Sequence, residues 1–176
     1  MKRKRIDIIT LGCSKNLVDS EQLMRQLEEV GYSVTHDTET PQGEIAVINT
    51  CGFIGDAKEE SINTILSAVQ AKECGKIKKL YVMGCLSQRY ADDLRAEIPE
   101  VDSYFGARGF DEILHELQIE KKAELNQERI ITTPSHLAYL KLAEGCNRTC
   151  AYCAIPTIRG KYTSETLENL TKEASF

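Results

Sequence analysis

The sequence lacks any apolar run long enough to cross a membrane. No run in its 176 residues approaches the roughly 20 that a transmembrane helix needs. The chain starts with basic residues at positions 2–5, but the apolar stretch that follows covers only residues 6–11 and contains Asp7. A signal peptide needs a longer apolar core. We therefore expect a cytosolic location.

Positive charge is also scarce, because 22 lysines and arginines stand against 27 acidic residues, for a net charge of −5. Contacts with nucleic-acid phosphates need patches of lysine and arginine. The composition therefore argues against extensive nucleic-acid binding by this segment, although it leaves room for a small basic site. The sequence also has no glycine-rich phosphate loop of either common spacing, no internal repeat and no low-complexity tract.

Cysteine, in contrast, is abundant. The chain has seven cysteines, an odd number that does not suit a framework of disulfide bonds. In a reducing compartment, such a count indicates metal binding or redox chemistry before cross-linking.

Hydrophobic patterning predicts an α/β domain over residues 1–118. Strands are predicted at residues 6–10, 32–35, 45–50, 79–83 and 103–105. Helices are predicted between Leu17 and Gly31, between Asp56 and Gly75, and at residues 87–98 and 111–117. This alternation predicts an open parallel sheet with helices on both faces.

Two of these helices carry more detailed predictions. Asn16 and Asp19 resemble a capping box at the start of the first helix. Ile62, Ile65, Leu66 and Val69 are predicted to form the buried stripe of the second.

The periodicity is lost after the last of these helices. A polar stretch predicts a linker at residues 119–134. A second unit is expected over residues 135–176, and residues 136–142 are predicted to form a strand that leads into its cysteine motif.

Three separated cysteines each follow a predicted strand. Cys13, Cys51 and Cys85 come one to three residues after the ends of the first, third and fourth strands. The carboxyl ends of parallel strands lie along one edge of the sheet, so these thiols are expected to converge there. Three thiolates suit a soft metal centre. The alternative is three buried cysteines that act only as small apolar residues.

A second set of cysteines lies close together at Cys146, Cys150 and Cys153. Three thiolates on one loop can hold a 4Fe–4S cluster and leave one of its four irons open to a reacting ligand. Structural zinc normally takes four protein ligands, and no fourth cysteine or histidine lies nearby. A cluster is therefore favoured over zinc, or over a loop of inert thiols.

At this point the motifs resemble a known family. The spacing at 146–153, with Tyr152, is similar to the cluster loop of radical S-adenosylmethionine enzymes. The methylthiotransferase family is resembled by Leu-Gly-Cys-Ser-Lys-Asn-Leu-Val-Asp-Ser-Glu at 11–21, Asn-Thr-Cys-Gly-Phe-Ile at 49–54, Gly-Cys-Leu at 84–86, Gly-Cys-Asn at 145–147 and Ile-Pro-x-x-Arg-Gly at 155–160. The runs at 14–21 and 51–54 resemble the branch that modifies a ribosomal protein.

The resemblance implies transfer of a methylthio group to the β-carbon of an aspartate in small-subunit ribosomal protein S12. It implies that Cys146, Cys150 and Cys153 hold a 4Fe–4S cluster whose open iron binds S-adenosylmethionine, the source of a 5′-deoxyadenosyl radical. By the same resemblance, Cys13, Cys51 and Cys85 hold an auxiliary 4Fe–4S cluster that carries the sulfur. A second S-adenosylmethionine gives the methyl group, and an electron donor is required.

The resemblance also implies an amino-terminal methylthiotransferase domain followed by the start of a radical-enzyme β/α barrel. Such a barrel needs about 200 residues or more, so the chain is expected to be a fragment that does not turn over. One residue departs from the family, because Glu165 stands where an arginine is usual.

Some residues and functions stay open at this stage. Tyr152 is expected either near the adenine of S-adenosylmethionine or in plain loop packing. Arg159 is expected to meet a carboxylate or a phosphate or, as is commoner, to be a solvated loop residue. Cys74 and the three histidines are given no role. Two alternative functions are the same chemistry on tRNA adenosine and a zinc-binding cysteine-rich module.

Overall fold

A computed structural model of the chain describes residues 4–125 and 128–175. The first part of the chain alternates strands with helices. Its elements are β1 (Arg5–Thr10), α1 (Ser14–Glu29), β2 (Ser33–His36), β3 (Ile45–Thr50), α2 (Gly55–Glu73), β4 (Lys79–Gly84), α3 (Cys85–Glu97), β5 (Ser103–Tyr104) and α4 (Phe110–Glu116). These strands form one parallel sheet in the order β2-β1-β3-β4-β5. The expected α/β architecture is confirmed.

Each face of the sheet carries its own core, because side chains alternate along every strand. On β3, Ala46 and Ile48 face one cluster of buried residues, and Ile45 and Val47 face the other. The helices α2 and α3 cover the first cluster, whereas α1 and α4 cover the second. All six residues of β3 are buried as a result.

The later part of the chain has little regular structure. It contains a 3-10 turn (Ala123–Leu125), β6 (Ala143–Glu144), α5 (Ile155–Arg159), β7 (Thr163–Ser164) and α6 (Leu167–Ala174). The antiparallel pair of β6 and β7 is separate from the main sheet. The strand predicted at residues 136–142 is wrong, because a strand needs a neighbouring strand to pair with and these residues have none in the part that the structure describes.

The expected linker is partly anchored. Residues 126 and 127 of the span 119–134 lie outside the described residues. Arg129 is buried, and its Nη1 donates to the Glu21 carboxylate at 2.7 Å. The backbone N–H and the hydroxyl of Thr132 also donate to Glu21, at 2.7 and 2.8 Å. The second half of the span is therefore held against α1.

The prediction of a capping box on α1 is wrong. The helix begins at Ser14 with Cys13 as its N-cap residue, and no side chain caps it. Asn16 and Asp19 lie inside the helix and are buried. Their side chains bond to residues outside the helix, including the distant Thr50 and Arg159.

The buried stripe of α2 was also only half predicted. Ile65 and Val69 are buried, but Ile62 is 37% exposed and Leu66 is 44% exposed. The smaller residues Ser61, Ala68 and Ala71 take the remaining buried positions. Small side chains therefore make up much of the buried face of α2. None of the helices in the described residues is long and apolar enough to span a membrane.

We expect Ile65→Ala to lower the free energy of unfolding by about 2–5 kcal/mol, since it leaves a cavity in a fully buried site. Ile62→Ala is the matched control. It makes the same change of helix propensity in the same helix, but at a half-exposed site, and should cost less than about 1 kcal/mol. Urea unfolding measures both, and equal losses would contradict the orientation of α2.

Candidate metal centre

Three cysteines lie at the carboxyl ends of three neighbouring strands. Cys13 follows β1, Cys51 follows β3 and Cys85 follows β4, and the order β1-β3-β4 places these strands side by side. In an open α/β sheet this edge is where ligands bind, at the point where the strand order reverses. Here the order reverses between β1 and β3, so Cys13 and Cys51 lie on either side of that point.

Glycines allow the backbone to bring these thiols together. A Cβ on Gly12 would lie 2.6 Å from Cβ of Cys51 and 2.8 Å from its Sγ, and Gly12 has a φ of +94°. Gly84, at φ +108°, passes equally close to Thr50, since a Cβ there would lie 2.6 Å from the Thr50 nitrogen. A side chain at either position would push two strand ends apart.

The three thiols differ in exposure. Cys51 and Cys85 are buried, whereas Cys13 is exposed. Burial raises the pKa of the Cys85 thiol, the positive charge and hydrogen bond of Arg159 oppose that rise, and the nearby Cys13 and Cys51 add to it. The edge therefore has a closed inner side and an open side at Cys13.

Helix N-termini also face this edge. Cys13 is the N-cap residue of α1, and Cys85 is the first residue of α3. The N-terminus of a helix carries a partial positive charge that favours anions, including thiolates. Both helices thus favour negative charge at the position of the thiols.

Asn16 connects the thiols to the backbone of the strand ends. It is fully buried, and its Nδ2 donates to the carbonyls of Leu11 at 2.8 Å and Thr50 at 3.0 Å. Its Oδ1 lies 3.8 Å from Sγ of Cys85 and also accepts a hydrogen bond from Arg159. The sequence predicted that Asn16 caps a helix. Only its place in the family motif at 11–21 indicated another role.

A buried ionic cluster lies next to Asn16. Arg159 is 3% exposed, and its Nη1 lies 2.7 Å from the Asp19 carboxylate and 3.3 Å from that of Glu144. Lys141 pairs with both acids, and Lys15 pairs with Glu144 at 3.4 Å. The commoner expectation for Arg159, a solvated loop residue, is therefore wrong.

The pKa values in this cluster follow from its charges. Burial alone would lower the pKa of Arg159, but Asp19, Cys85 and Glu144 raise it well above its usual value. Burial would raise the pKa of Glu144, but Arg159, Lys141 and Lys15 lower it below its usual value. Both groups are therefore charged at neutral pH.

The second cysteine set lies on the loop between β6 and α5. Cys150 is exposed, and Cys146 and Cys153 are half-buried. The Cys146 N–H donates to the Gly160 carbonyl at 3.0 Å, and the Cys153 N–H donates to the Cys150 carbonyl at 3.1 Å. These bonds close the loop on itself.

Helix α5 connects this loop to the first cysteine set. Ile158 and Ala154 of the α5 region pack beside Cys85 in a small apolar cluster that also contains Ala107. Tyr152 is 94% exposed and packs against no core. Within residues 4–125 and 128–175, no group of three or more His, Cys, Asp or Glu side chains is gathered so that it could hold a metal ion.

Glu165 and Cys74 are both exposed. Glu165 lines a cavity of about 300 Å³ together with Asp19, Lys141 and Glu144, and its side chain accepts a hydrogen bond from Asn169 at 2.9 Å. The usual arginine would reverse the charge of this wall. Cys74 is exposed at the end of α2.

Comparison with known proteins agrees with this layout. Residues 5–106 match the family described as "Uncharacterized protein family UPF0004". This chain belongs to that family. The match covers all five strands of the main sheet and the segments that carry Cys13, Cys51 and Cys85.

Curated relatives extend the similarity to the whole chain. The chain is 64% identical over all of its residues to "Ribosomal protein uS12 methylthiotransferase RimO" of Bacteroides thetaiotaomicron. Proteins of the same name from Porphyromonas gingivalis and Cytophaga hutchinsonii are 57% and 52% identical over 98% of the chain. The chain spans about 40% of the length of each of these relatives. The resemblance to the ribosomal-protein branch of the methylthiotransferases is confirmed.

We expect Gly12→Ala to destabilise the chain more than Gly31→Ala. Both glycines have nearly the same positive φ, +94° and +92°, so the backbone strain of about 1–2 kcal/mol is shared. Only at Gly12 would the new methyl group meet Cys51, because Gly31 has nothing within 4 Å. The clash should lower the free energy of unfolding by about a further 1–3 kcal/mol, measured in urea. Equal losses in the two variants would mean that the strand ends can separate without cost.

Proposed function

We propose that this chain forms the cluster-binding part of a methylthiotransferase that acts on the β-carbon of an aspartate in ribosomal protein S12. One observation carries the proposal. Three thiols follow neighbouring strands at the ligand-binding edge of a chain that is 64% identical, over its whole length, to a uS12 methylthiotransferase. In this proposal residues 1–118 form the α/β domain, residues 119–134 the linker and residues 135–176 the start of a radical-enzyme barrel.

The two cysteine sets would each hold a 4Fe–4S cluster. Cys13, Cys51 and Cys85 would hold the auxiliary cluster, and Cys146, Cys150 and Cys153 the cluster that binds S-adenosylmethionine. Each set offers three soft thiolates, which suit iron–sulfur clusters and leave one iron without a protein ligand. Each thiolate of a cluster binds a different iron, so the sulfurs stand farther apart than the ligands of a single ion. When bound, the clusters and S-adenosylmethionine supply the radical chemistry, the sulfur and the methyl group.

The residues of this chain would position those groups. Asn16 fixes the carbonyls of two strand ends beside Cys85. The N-termini of α1 and α3 favour negative charge at the thiols. The burial of Cys51 and Cys85 excludes water from the inner side, and Cys13 lies on the open side from which a substrate would approach.

The remaining parts of the proposal concern location and partners. A cytosolic location would keep the thiols reduced and bring them to the ribosomal substrate. Tyr152, with a fully accessible ring, would be free to stack on the adenine of S-adenosylmethionine. An electron donor would complete the reaction.

Anaerobic reconstitution of the chain with iron and sulfide tests the two cluster sites. We expect about equal amounts of iron and inorganic sulfide to bind. The triple variant Cys13→Ala, Cys51→Ala, Cys85→Ala should lose about half of the iron, and the triple variant at Cys146, Cys150 and Cys153 should lose the other half. Cys74→Ala is the matched control and should lose none. Binding of zinc without inorganic sulfide would favour the zinc-binding module and contradict the proposal.

The substrate is tested on the native enzyme in which this chain occurs. We expect that, with S-adenosylmethionine and a reductant, it adds a methylthio group to an aspartate of protein S12. Mass spectrometry of the protein and of tRNA nucleosides from the same reaction would detect the product. Changing that aspartate of S12 to asparagine is the control. Modification of tRNA adenosine alone would overturn the assignment to the ribosomal-protein branch.

A further inference from the structure

Arg159 belongs to the segment that carries the second cysteine set, and its guanidinium reaches residues beside the first set. Arg159 is the last residue of α5 and follows Cys153, the last cysteine of the second set, by six residues. Its side chain reaches α1, where it binds Asp19 at 2.7 Å and Asn16. With 3% of its surface exposed, it is fixed in the interior and not on a mobile loop.

Arg159 also acts on Cys85 of the first set. Asn16 Oδ1 accepts from Arg159 and lies 3.8 Å from Sγ of Cys85. Ile158, the neighbour of Arg159 in sequence, packs beside Cys85. One short helix therefore brings both an apolar contact and a cation to this thiol.

Three cations and two anions form the ion-paired group that contains Arg159. Asp19 and Glu144 provide two negative charges, whereas Lys15, Lys141 and Arg159 provide three positive ones. Lys15 and Lys141 are 41% and 21% exposed at their side chains, so water screens them, but Arg159 is 2% exposed and is not screened in this way. Among these cations, Arg159 is therefore the one best placed to act on a negatively charged group at Cys85.

We propose that Arg159 is a positioning residue for the group held by Cys13, Cys51 and Cys85: it holds α5 against that group and stabilises the group's reduced form with a permanent positive charge. This inference rests on the proposed function, because it takes that group to be an iron–sulfur cluster.

The expected effect follows from electrostatics. Reduction adds one electron to a cluster, and a nearby cation in a medium of low dielectric stabilises the added charge. Cluster potentials respond to net charge and to hydrogen bonds near the sulfurs. An arginine is charged at any physiological pH, so its contribution does not depend on pH.

The test measures the reduction potential of the first cluster alone. In the background Cys146→Ala, Cys150→Ala, Cys153→Ala, the reconstituted chain is titrated with a mediated reductant and followed by electron paramagnetic resonance. We expect Arg159→Gln to shift the midpoint to a more negative potential, and Arg159→Lys, which keeps the charge, to restore most of the difference. Arg95→Gln, on the exposed face of α3, is the matched control and should not shift it.

A second background tests the location of the effect. With Cys13, Cys51 and Cys85 changed to alanine, only the second set binds iron, and Arg159→Gln should shift its midpoint less. An equal shift in both backgrounds, or no shift in the first, would overturn the inference. Failure of the unsubstituted chain to bind iron and sulfide would instead overturn the proposed function.

Loss of Arg159 leaves two buried carboxylates with fewer partners, so folding is checked by circular dichroism before each titration. The double variant Asp19→Asn with Arg159→Gln removes one charge of each sign, which keeps a folded form available. We expect it also to have a more negative midpoint than Asp19→Asn alone. A midpoint equal to that of Asp19→Asn would contradict a role for the arginine charge.

Discussion

The ion pair of Asp19 and Arg159 is the contact on which the arrangement of the two cysteine sets depends. It joins the middle of α1 to the end of α5, and therefore the first α/β unit to the segment that carries the second cysteine set. The same stretch of α1 makes the neighbouring contacts, since Lys15 binds Glu144 and Glu21 binds Arg129. The run at 14–21 thus forms the first turns of α1 and also the surface on which residues 129–159 pack.

The sheet accounts for the first cysteine set with few further requirements. Parallel pairing of β1, β3 and β4 aligns their carboxyl ends, and each of these ends is followed within three residues by a cysteine. Gly12 and Gly84 then remove the side chains that would hold the ends apart. The second set depends on a different constraint, because its loop is closed by backbone bonds and joined to the first set through α5.

The elements that the sequence predicted well are those with a local signal. Strands such as Ile45–Thr50 are short apolar runs, and the strand ends that carry Cys13, Cys51 and Cys85 follow from the strand order. Asn16 and Arg159 bond to each other across 143 residues of sequence, so no local pattern predicts their contact. Contact of Arg159 with a carboxylate was one of the two expectations for this residue, but the sequence did not indicate which carboxylate it would meet. The stripe of α2 was half wrong for a related reason. Spacing alone predicts a helical face, but the neighbouring sheet decides whether Ile62 or Ala68 fills it.

The buried ionic cluster around Arg159 contributes more to the alignment of α1 and α5 than to the stability of the chain. Desolvation offsets most of the attraction in a buried ion pair, so a well-packed apolar contact between α1 and α5 would stabilise the chain at least as well. An apolar contact, however, tolerates small shifts, whereas Asp19 accepts Arg159 and Lys141 only in one alignment of the two segments. Removal of one partner leaves a buried charge and is strongly unfavourable. The main effect of these ion pairs is therefore to fix the position of α5 relative to Cys85. That position determines how far apart the two cysteine sets lie.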